Sequence, residues 1–494
     1  MSIRFPTGRV HAFKVVMMAS VIPRKTIREI SPIDVYRLLP RTNCRECHES
    51  NCMAFATRVV NGELTIEDCP PLLKEEYHTA YGDLNDLLAP PVRAVTIGAG
   101  PRAIRIGGKH VLFRHDFTYH NPVPIALDVS DDMPAKDLAD RIKTIAEFSY
   151  NYIGRTLTLD AIAVRSIRND PAAFAATIKT VAARTDLPLI LCTNNPAVMA
   201  EGLRDIAERH PLICAATKEN WSAMADLALR YNCPLVVSAP GDIALLCSLI
   251  KTLTAYGVRD LVLDPGTFVD GGISETVHMF SAIRWAVFRE HEDLLGYPLL
   301  GIPLTAWLSS EISRNTIAWK EACAASMLIT RYADLLIMHS TEGWVLLPQL
   351  IWRFNIYTDP RKPVSVDPGV REFGTPDRNS PVLVTTNYAL TYFTVESDIK
   401  AAHITCYLVV IDTGGISVES AVAGRYLTPE LIANALREYH VDQLVSHHYV
   451  IIPGLASRLS GDTEEASGWQ VIVGPKDSSG IAQMILDHWP PEKP

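Results

Sequence analysis

Two textures of apolar and polar residues follow one another along this chain. Between residues 90 and 358, short apolar runs alternate with stretches whose apolar positions recur three and four apart. The runs are Thr158–Val164, Leu187–Cys192, Leu212–Ala216, Pro234–Ser238, Asp260–Leu263 and Asp334–His339. Helical spacing fills Pro171–Arg184, Trp221–Tyr231 and Ala244–Tyr256. Continuous apolar strands suit a parallel sheet whose faces are both covered. A βα repeat of this length predicts a (β/α)8 barrel of the TIM kind, with a doubly wound open sheet as the alternative.

The pattern changes on either side. Residues 30–88 carry short helical segments, Ile33–Leu39 and Met53–Val60, around clustered cysteines. Thr358–Pro381 has five prolines and no periodicity, which reads as a linker (359–381) or a long surface segment; for a carrier that moves between sites it would be a hinge. Residues 382–494 restart the alternation with strands at Val382–Thr385, Tyr407–Ile411, Tyr449–Ile452 and Gln470–Val473. Helical runs there are Glu396–Ala402, Pro429–Tyr439 and Ser478–His488, so a small parallel domain of Rossmann type is expected. The fold class is therefore α/β and multidomain: an extension (1–29), a cysteine domain (30–88), a barrel (90–358), a linker and a C-terminal domain (382–494).

Composition narrows the function. With 48% hydrophobic and 20% charged residues, the 494-residue chain is globular. Its net charge of −9 repels phosphate backbones, which argues against nucleic acid as a partner. No apolar run reaches the roughly 18–20 residues of a membrane span; the best, Ile243–Tyr256, is interrupted by Lys251. Met1–Arg28 has scattered basic residues and a short apolar patch at Phe13–Ile22, too weak for a signal peptide. It reads as an extension with Met17 and Met18 as alternative starts, and the expected location is cytoplasmic.

Six of the ten cysteines (Cys192, Cys214, Cys233, Cys247, Cys323 and Cys406) stand singly, mostly in apolar runs, as small buried hydrophobes. The other four form Cys44-x2-Cys47-x4-Cys52-x16-Cys69, with Pro70 after the last. Three close thiolates plus a remote one beside proline is the pattern of a [4Fe–4S] cluster. Zinc sites favour two close pairs. With four thiolates available, the neighbouring His48 and Asp68 are read as solvated loop residues.

The C-terminal domain offers small or hydroxyl-bearing residues where its strands end: Thr385, Thr386 and Asn387, leading to Thr391; Thr413, Gly414, Gly415 and Ser417; Pro453, Gly454 and Ala456; and Gly474. Such loops admit close backbone approach and present N–H donors at helix starts. They suit a large flat ligand edged with amides, or a phosphate-bearing nucleotide. Neither G-x-G-x-x-G after the first strand nor G-x-x-x-x-G-K-[ST] is present, which weakens the dinucleotide and P-loop readings. D-x-H-x-x-G, which supplies a histidine to cobalt in many corrinoid domains, is also absent. His447 and His448 precede a strand and so lie at the wrong end to bind cobalt. In the barrel, Asp116, Asn121, Asn194, Asn195 and Asp264 are candidates for holding a pterin ring, with helix capping as the preferred reading.

SPIDVYRLLPRTNCRECHESNCMAFA resembles the start of the corrinoid iron–sulfur protein large-subunit family, the gamma subunits of acetyl-CoA decarbonylase/synthase complexes. IGGKHVLFRHDFTYHNPVPIALDVSD and ADLLIMHSTEGW continue the resemblance, as do VTTNYALTYFTVESDI, VIDTGGISV and IIPGLASRLSG near the C-terminus. It covers nearly everything from residue 30 to 490. It implies a small [4Fe–4S] domain, a TIM barrel and a corrinoid-binding domain whose cobamide is bound base-off, with no protein histidine beneath cobalt. It assigns the cluster to Cys44, Cys47, Cys52 and Cys69 and the corrinoid to the loop residues above. The implied role is methyl carriage in the acetyl-CoA pathway, from a methyl-tetrahydropterin onto cobalt and on to acetyl-CoA synthase, with the cluster reactivating oxidised cobalt. No side chain need act as acid, base or nucleophile. The implied partners are a small TIM-barrel subunit, a methyl-tetrahydropterin methyltransferase, acetyl-CoA synthase/CO dehydrogenase and a low-potential donor such as ferredoxin. Two alternatives compete: a pterin-dependent methyltransferase acting in its own barrel, and an iron–sulfur activator of another corrinoid protein. His48, Glu49 and Ser50 depart from the family, which usually has small residues between its second and third cysteines. The first ~28 residues fall outside the family pattern.

Overall fold

The fold is that of a computed structural model. Residues 26–309, 313–357 and 363–490 are described, so residues 1–25 of the expected extension lie outside them. The chain forms two compact units. The first holds the cysteine segment and the barrel. The second holds the C-terminal sheet together with residues 117–119 and 147–159.

In the cysteine segment, Ser31 and Asp34 form a capping box that starts α1 (Pro32–Leu38). Asn51 caps α2 (Cys52–Val60) by accepting from Ala54 N at 2.9 Å. Two 3₁₀ turns, Ile66–Asp68 and Pro70–Leu73, flank Cys69 and lead to α3 (His78–Leu88). Val35, Phe55, Ala56, Leu72 and Leu84 are buried among these elements and give the segment its own core.

The barrel has eight parallel strands: β1 (Ile125–Ser130), β2 (Ala161–Arg165), β3 (Leu189–Cys192), β4 (Leu212–Ala216), β5 (Leu235–Ser238), β6 (Leu261–Asp264), β7 (Leu300–Gly301) and β8 (Leu335–Met338). A Leu263–Leu299 bridge joins β6 to β7 and closes the ring, so the barrel holds and the open-sheet alternative does not. Asp170, Asn195 and Asp242 cap the helices after β2, β3 and β5, turning the chain back at each strand end. A hairpin, Ala94–Ile97 with Ile104–Gly107, plugs the end where the strands begin. Its Val95, Ile97 and Ile106 pack with Ala126, Ala161 and Ala163, whose small side chains leave room for them.

Three expectations need correction. The run Thr158–Val164 is two elements: Arg155–Thr158 ends a hairpin with Ser149–Tyr152, and β2 begins only at Ala161. That hairpin belongs to the second unit. Strands β1 and β7 were not expected: β7 is two residues long, and β1 lies in an irregular approach segment. The third correction is the linker. Its residues 358–362 lie outside the described ones, but Gly369–Phe373 (β9) is an edge strand, antiparallel to its neighbour. Val366 N also donates to Asn387 O at 2.9 Å. Gly369–Phe373, with a bridge at Ser365, is therefore part of the C-terminal sheet, since a proline-bearing stretch is tolerated at an edge where one ladder side is free.

The remaining strands of that sheet are β10 (Val382–Thr386), β11 (Cys406–Ile411), β12 (Tyr449–Ile452) and β13 (Gln470–Val473), in the order β9-β11-β10-β12-β13. All but β9 are parallel. Val382, Val384, Val409 and Ile411 face one core, with the helices Val418–Ala423 and Pro429–Glu438. Leu383, Leu408, Val410 and Ile451 face a second core, with Tyr392, Ile399 and Ile481 from the opposite helices. Burial on both faces explains why these strands read as unbroken apolar runs.

Candidate cofactor-binding sites

The parallel order β11-β10-β12-β13 reverses direction between β10 and β12. Ligands of open α/β sheets bind at such a switch point, outside the carboxyl ends of the strands. Here β10 and β12 share a single register pair, Leu383 with Ile451, and beyond it the sheet opens into a cavity of roughly 350 Å3. Thr385, Thr391, Ser417, Pro453 and Gly474, expected from the sequence, all line it. Leu455, in the same loop as Pro453, lines it too, and Leu390, Thr394, Val395, Glu419, Lys476 and Ser478 line it as well and were missed. Leu390, Thr391, Thr394 and Val395 follow helical spacing, a signal open to a reading of the helix face. Lys476 and Ser478 carry none.

The Thr385 hydroxyl is buried and has no hydrogen-bond partner among the described residues, and Thr386 beside it is in the same state. A buried hydroxyl without a partner costs about 1–3 kcal/mol, and the one on Thr385 lies in the cavity wall. Leu390 and Leu455, which line the cavity, are 50% and 40% exposed. None of the residues lining the cavity is a histidine. His447 Nε2 instead donates to Ser380 O at 3.0 Å, and the ring packs against Trp469 and Trp489. Burial pushes its pKa down.

The other expected loop residues are not among those lining the cavity. Asn387 Oδ1 accepts from Thr413 N and Gly415 N, each at 3.0 Å, and its Nδ2 donates to Asp412 at 2.9 Å. Asn387 and Thr413 thus hold the Asp412–Gly415 turn in shape. Ala456 is buried in the core. A Cβ on Gly454 would lie 2.6 Å from Gly474 O, so glycine lets the loops after β12 and β13 touch.

In the cysteine segment, Cys44 is exposed, Cys47 is partly so, and Cys52 and Cys69 are buried. Arg41, Asn43, Arg45 and His48 all take positive φ, between 52° and 64°. Repeated left-handed residues curl backbone N–H groups inward, a form that nests anionic groups, iron–sulfur clusters among them. Asn43 Oδ1 accepts from Cys52 N at 2.9 Å and pins the loop to α2. Burial pushes the Cys69 thiol up and the Leu72 amide opposes it. Negative charge on Cys47, Cys52 and Cys44 adds to the rise. Among the described residues no three His, Cys, Asp or Glu groups gather around a single metal ion. Asp68 accepts from Thr65 N at 2.7 Å as a helix cap, and His48 is exposed.

Three of the barrel candidates, Asn195, Asp264 and Asn121, make structural hydrogen bonds. Asn195 caps a helix through Ala197 N at 3.0 Å. Asp264 accepts from Ser238 Oγ at 2.7 Å and Gly266 N at 3.0 Å. Asn194 is exposed and lends its carbonyl to Asn220. Asn121 donates to Gly107 O at 2.9 Å, at the plugged end, and Asp116 also precedes β1, so neither sits at a strand's carboxyl end. An unforeseen network gathers around Asp128 on β1, which meets Arg141 at 2.8 Å and Arg165 and His339 at 2.7 Å each. Burial pushes this carboxylate up, but His339 and the two arginines outweigh it and leave its pKa lowered. These groups satisfy one another.

Known proteins resemble the chain along nearly its whole length. A family described as the CO dehydrogenase/acetyl-CoA synthase delta subunit matches residues 94–485, and one described as an Fe-S cluster matches residues 39–71. The acetyl-CoA decarbonylase/synthase complex subunit gamma 1 of Methanosarcina thermophila is 45% identical over 466 residues, covering 94% of this chain and 99% of its own. The gamma subunit of Methanothermobacter thermautotrophicus is 42% identical over 459 residues, covering 92% and 98%. A solved dihydropteroate synthase from Thermus thermophilus aligns with 52% of this chain and 99% of its own at 15% identity and a TM-score of 0.36. The delta-subunit description omits the cysteine segment, whereas the gamma subunits match through it and along nearly their whole length, and the chain therefore belongs to the gamma-subunit family of acetyl-CoA decarbonylase/synthase complexes.

Proposed function

We propose that this subunit is a methyl carrier, holding a base-off cobamide in the crevice of its C-terminal unit and a [4Fe–4S] cluster on Cys44, Cys47, Cys52 and Cys69. The observation that carries the reading is the crevice between β10 and β12, apolar at its rim, with the buried, unpartnered Thr385 hydroxyl in its wall. A bound corrinoid supplies a cobalt centre that accepts and releases a methyl group, and a bound cluster supplies single low-potential electrons. The protein's own residues position and shield. Thr385 offers a hydrogen bond to the ligand's edge, Leu390 and Leu455 cover an apolar face, and Gly454 and Gly474 keep the backbone close. No histidine reaches the cavity, which suits a cobalt left without a protein donor. The methyl group comes from a methyl-tetrahydropterin through its methyltransferase and goes to acetyl-CoA synthase/CO dehydrogenase. A small barrel subunit is the standing partner, and a donor such as ferredoxin supplies electrons.

The deciding measurement is cobalt and iron content with an electronic spectrum, on chain purified without oxygen alongside its small partner. About one cobalt and four irons per chain, with a base-off corrinoid spectrum, are expected. Iron without cobalt, from corrinoid-replete cells, would overturn the carrier and favour an iron–sulfur activator.

A further inference from the structure

The four cysteines are not equally covered. Cys44 is the exposed one, so the surface around it is where a cluster on these thiols comes nearest to solvent. Three arginines stand in the same short stretch: Arg37 in the last turn of α1, then Arg41 and Arg45 on either side of Cys44. All three side chains are exposed, and none enters an ion pair among the described residues. The nearby acid Glu49 is already tied to Arg58, which leaves Glu46 as the one uncommitted acid between Arg37 and Ser50. This is a positive face on a chain whose net charge is −9. The left-handed φ values at Arg41, Asn43 and Arg45, and the Asn43 tie to Cys52 N, fix the backbone from which the arginines project. Ile33, 52% exposed, lies four residues before Arg37 and shares its face of α1, adding an apolar contact beside the charges.

We propose that this face is the docking surface of an acidic one-electron carrier protein, with Arg37, Arg41 and Arg45 steering its approach to the Cys44 edge. The inference rests on the reading that the four cysteines hold a cluster. One electron passes from the reduced carrier to the oxidised cluster; the carrier is oxidised by one, the cluster reduced by one, and no bond or proton moves. Charge complementarity of this kind sets the association rate and its salt dependence more than the affinity of a final complex.

The test uses the full chain with its cluster and small partner, and a variant carrying Arg37→Glu, Arg41→Glu and Arg45→Glu. The probes are a reduced acidic ferredoxin and, as a control, the methyl viologen radical cation. Cluster reduction is followed by stopped flow, and complex formation by calorimetry. For the unaltered chain the ferredoxin rate should fall steeply with salt. In the variant it should fall at least about ten-fold at low salt and lose its salt dependence, with binding weakened in parallel. Viologen should reduce both chains without delay, the midpoint potential should not move, and lysine at the three positions should restore the ferredoxin rate. An unchanged ferredoxin rate and affinity, with normal viologen reduction, would overturn the docking surface alone. So would a rate loss explained entirely by a shifted potential. A chain without iron, reduced by neither probe, would overturn the cluster reading and the docking surface with it.

Discussion

Thr385 is a threonine in a position that valine would fill equally well for packing, at 2% exposure in a strand of buried residues. Its hydroxyl is a cost to the empty fold. Replacing it with valine removes that cost, so the ligand-free C-terminal unit should gain about 1 kcal/mol in denaturant midpoint analysis, while cobalt retained through gel filtration should drop. A loss of stability with cobalt unchanged would show that the hydroxyl serves the fold. His110 makes a second case. Burial, with His120 and Arg105 adding to it, holds its pKa at about 4 instead of 6.5. Above pH 6.5 it is neutral in both folded and unfolded chains and contributes nothing to pH dependence. Below that the unfolded chain takes up a proton that the folded chain refuses, so stability falls as pH drops from about 6.5 to about 4 and levels off beneath. A His110→Gln chain should show a shallower fall over this window, measured by urea unfolding.

The hairpin Ser149–Thr158 interrupts the passage from β1 to β2 and packs within the C-terminal unit. Ile153 and Gly154 form its turn with φ of 49° and 68°. Two successive positive φ values twist the strands correctly for a two-residue hairpin, though isoleucine is a poor residue for that conformation. The fit of the tip compensates: a Cβ on Gly154 would lie 2.0 Å from Phe393 Cζ, on the helix that also lends Leu390, Thr391 and Thr394 to the cavity. Tyr152 meets Phe354 edge-on, and Arg353 donates to Thr158 O at 3.0 Å. Gly154→Ala should therefore cost about 1–3 kcal/mol, seen as faster amide exchange in the hairpin and in helix Ala389–Ala401. An exchange pattern confined to the hairpin would show that the contact does not brace the helix.

At the scale of the whole molecule, the C-terminal unit is not contiguous in sequence. It comprises residues 117–119, 147–159 and 350–494. A fragment beginning at residue 350 would keep every strand of the sheet and lose the hairpin that packs on Phe393 and Phe354. Such a fragment should melt several degrees below the same unit in the intact chain, and a version with the hairpin fused through a flexible linker should recover most of the difference. Equal melting of the two fragments would mean that the hairpin adds nothing to the unit. The proline-bearing segment, expected to be a hinge, gives the unit its edge strand Gly369–Phe373, and a change there should be read as a change in the sheet.

The sequence by itself determined whatever depends on local periodicity and spacing. Runs such as Leu212–Ala216 and Trp221–Tyr231 keep their limits in the structure, because a strand buried on both faces or an amphipathic helix writes its own pattern. The four cysteines and the small residues at the ends of β10 to β13 stand out as candidates for a related reason: residue type at fixed spacing is visible without the fold. Tertiary structure alone decided what depends on distant contacts. Ile153-Gly154 does not look like a turn until Phe393 is in place, and Gly369–Phe373 is a strand only because Cys406–Val410 lies beside it. The Asp128 network joins residues up to 211 apart in sequence. The loop residues divided in the same way. Thr385 and Thr391 reached the cavity while Asn387 and Thr413 turned to hold a loop, because hydrogen-bond partners are set by three-dimensional proximity, which no local pattern records.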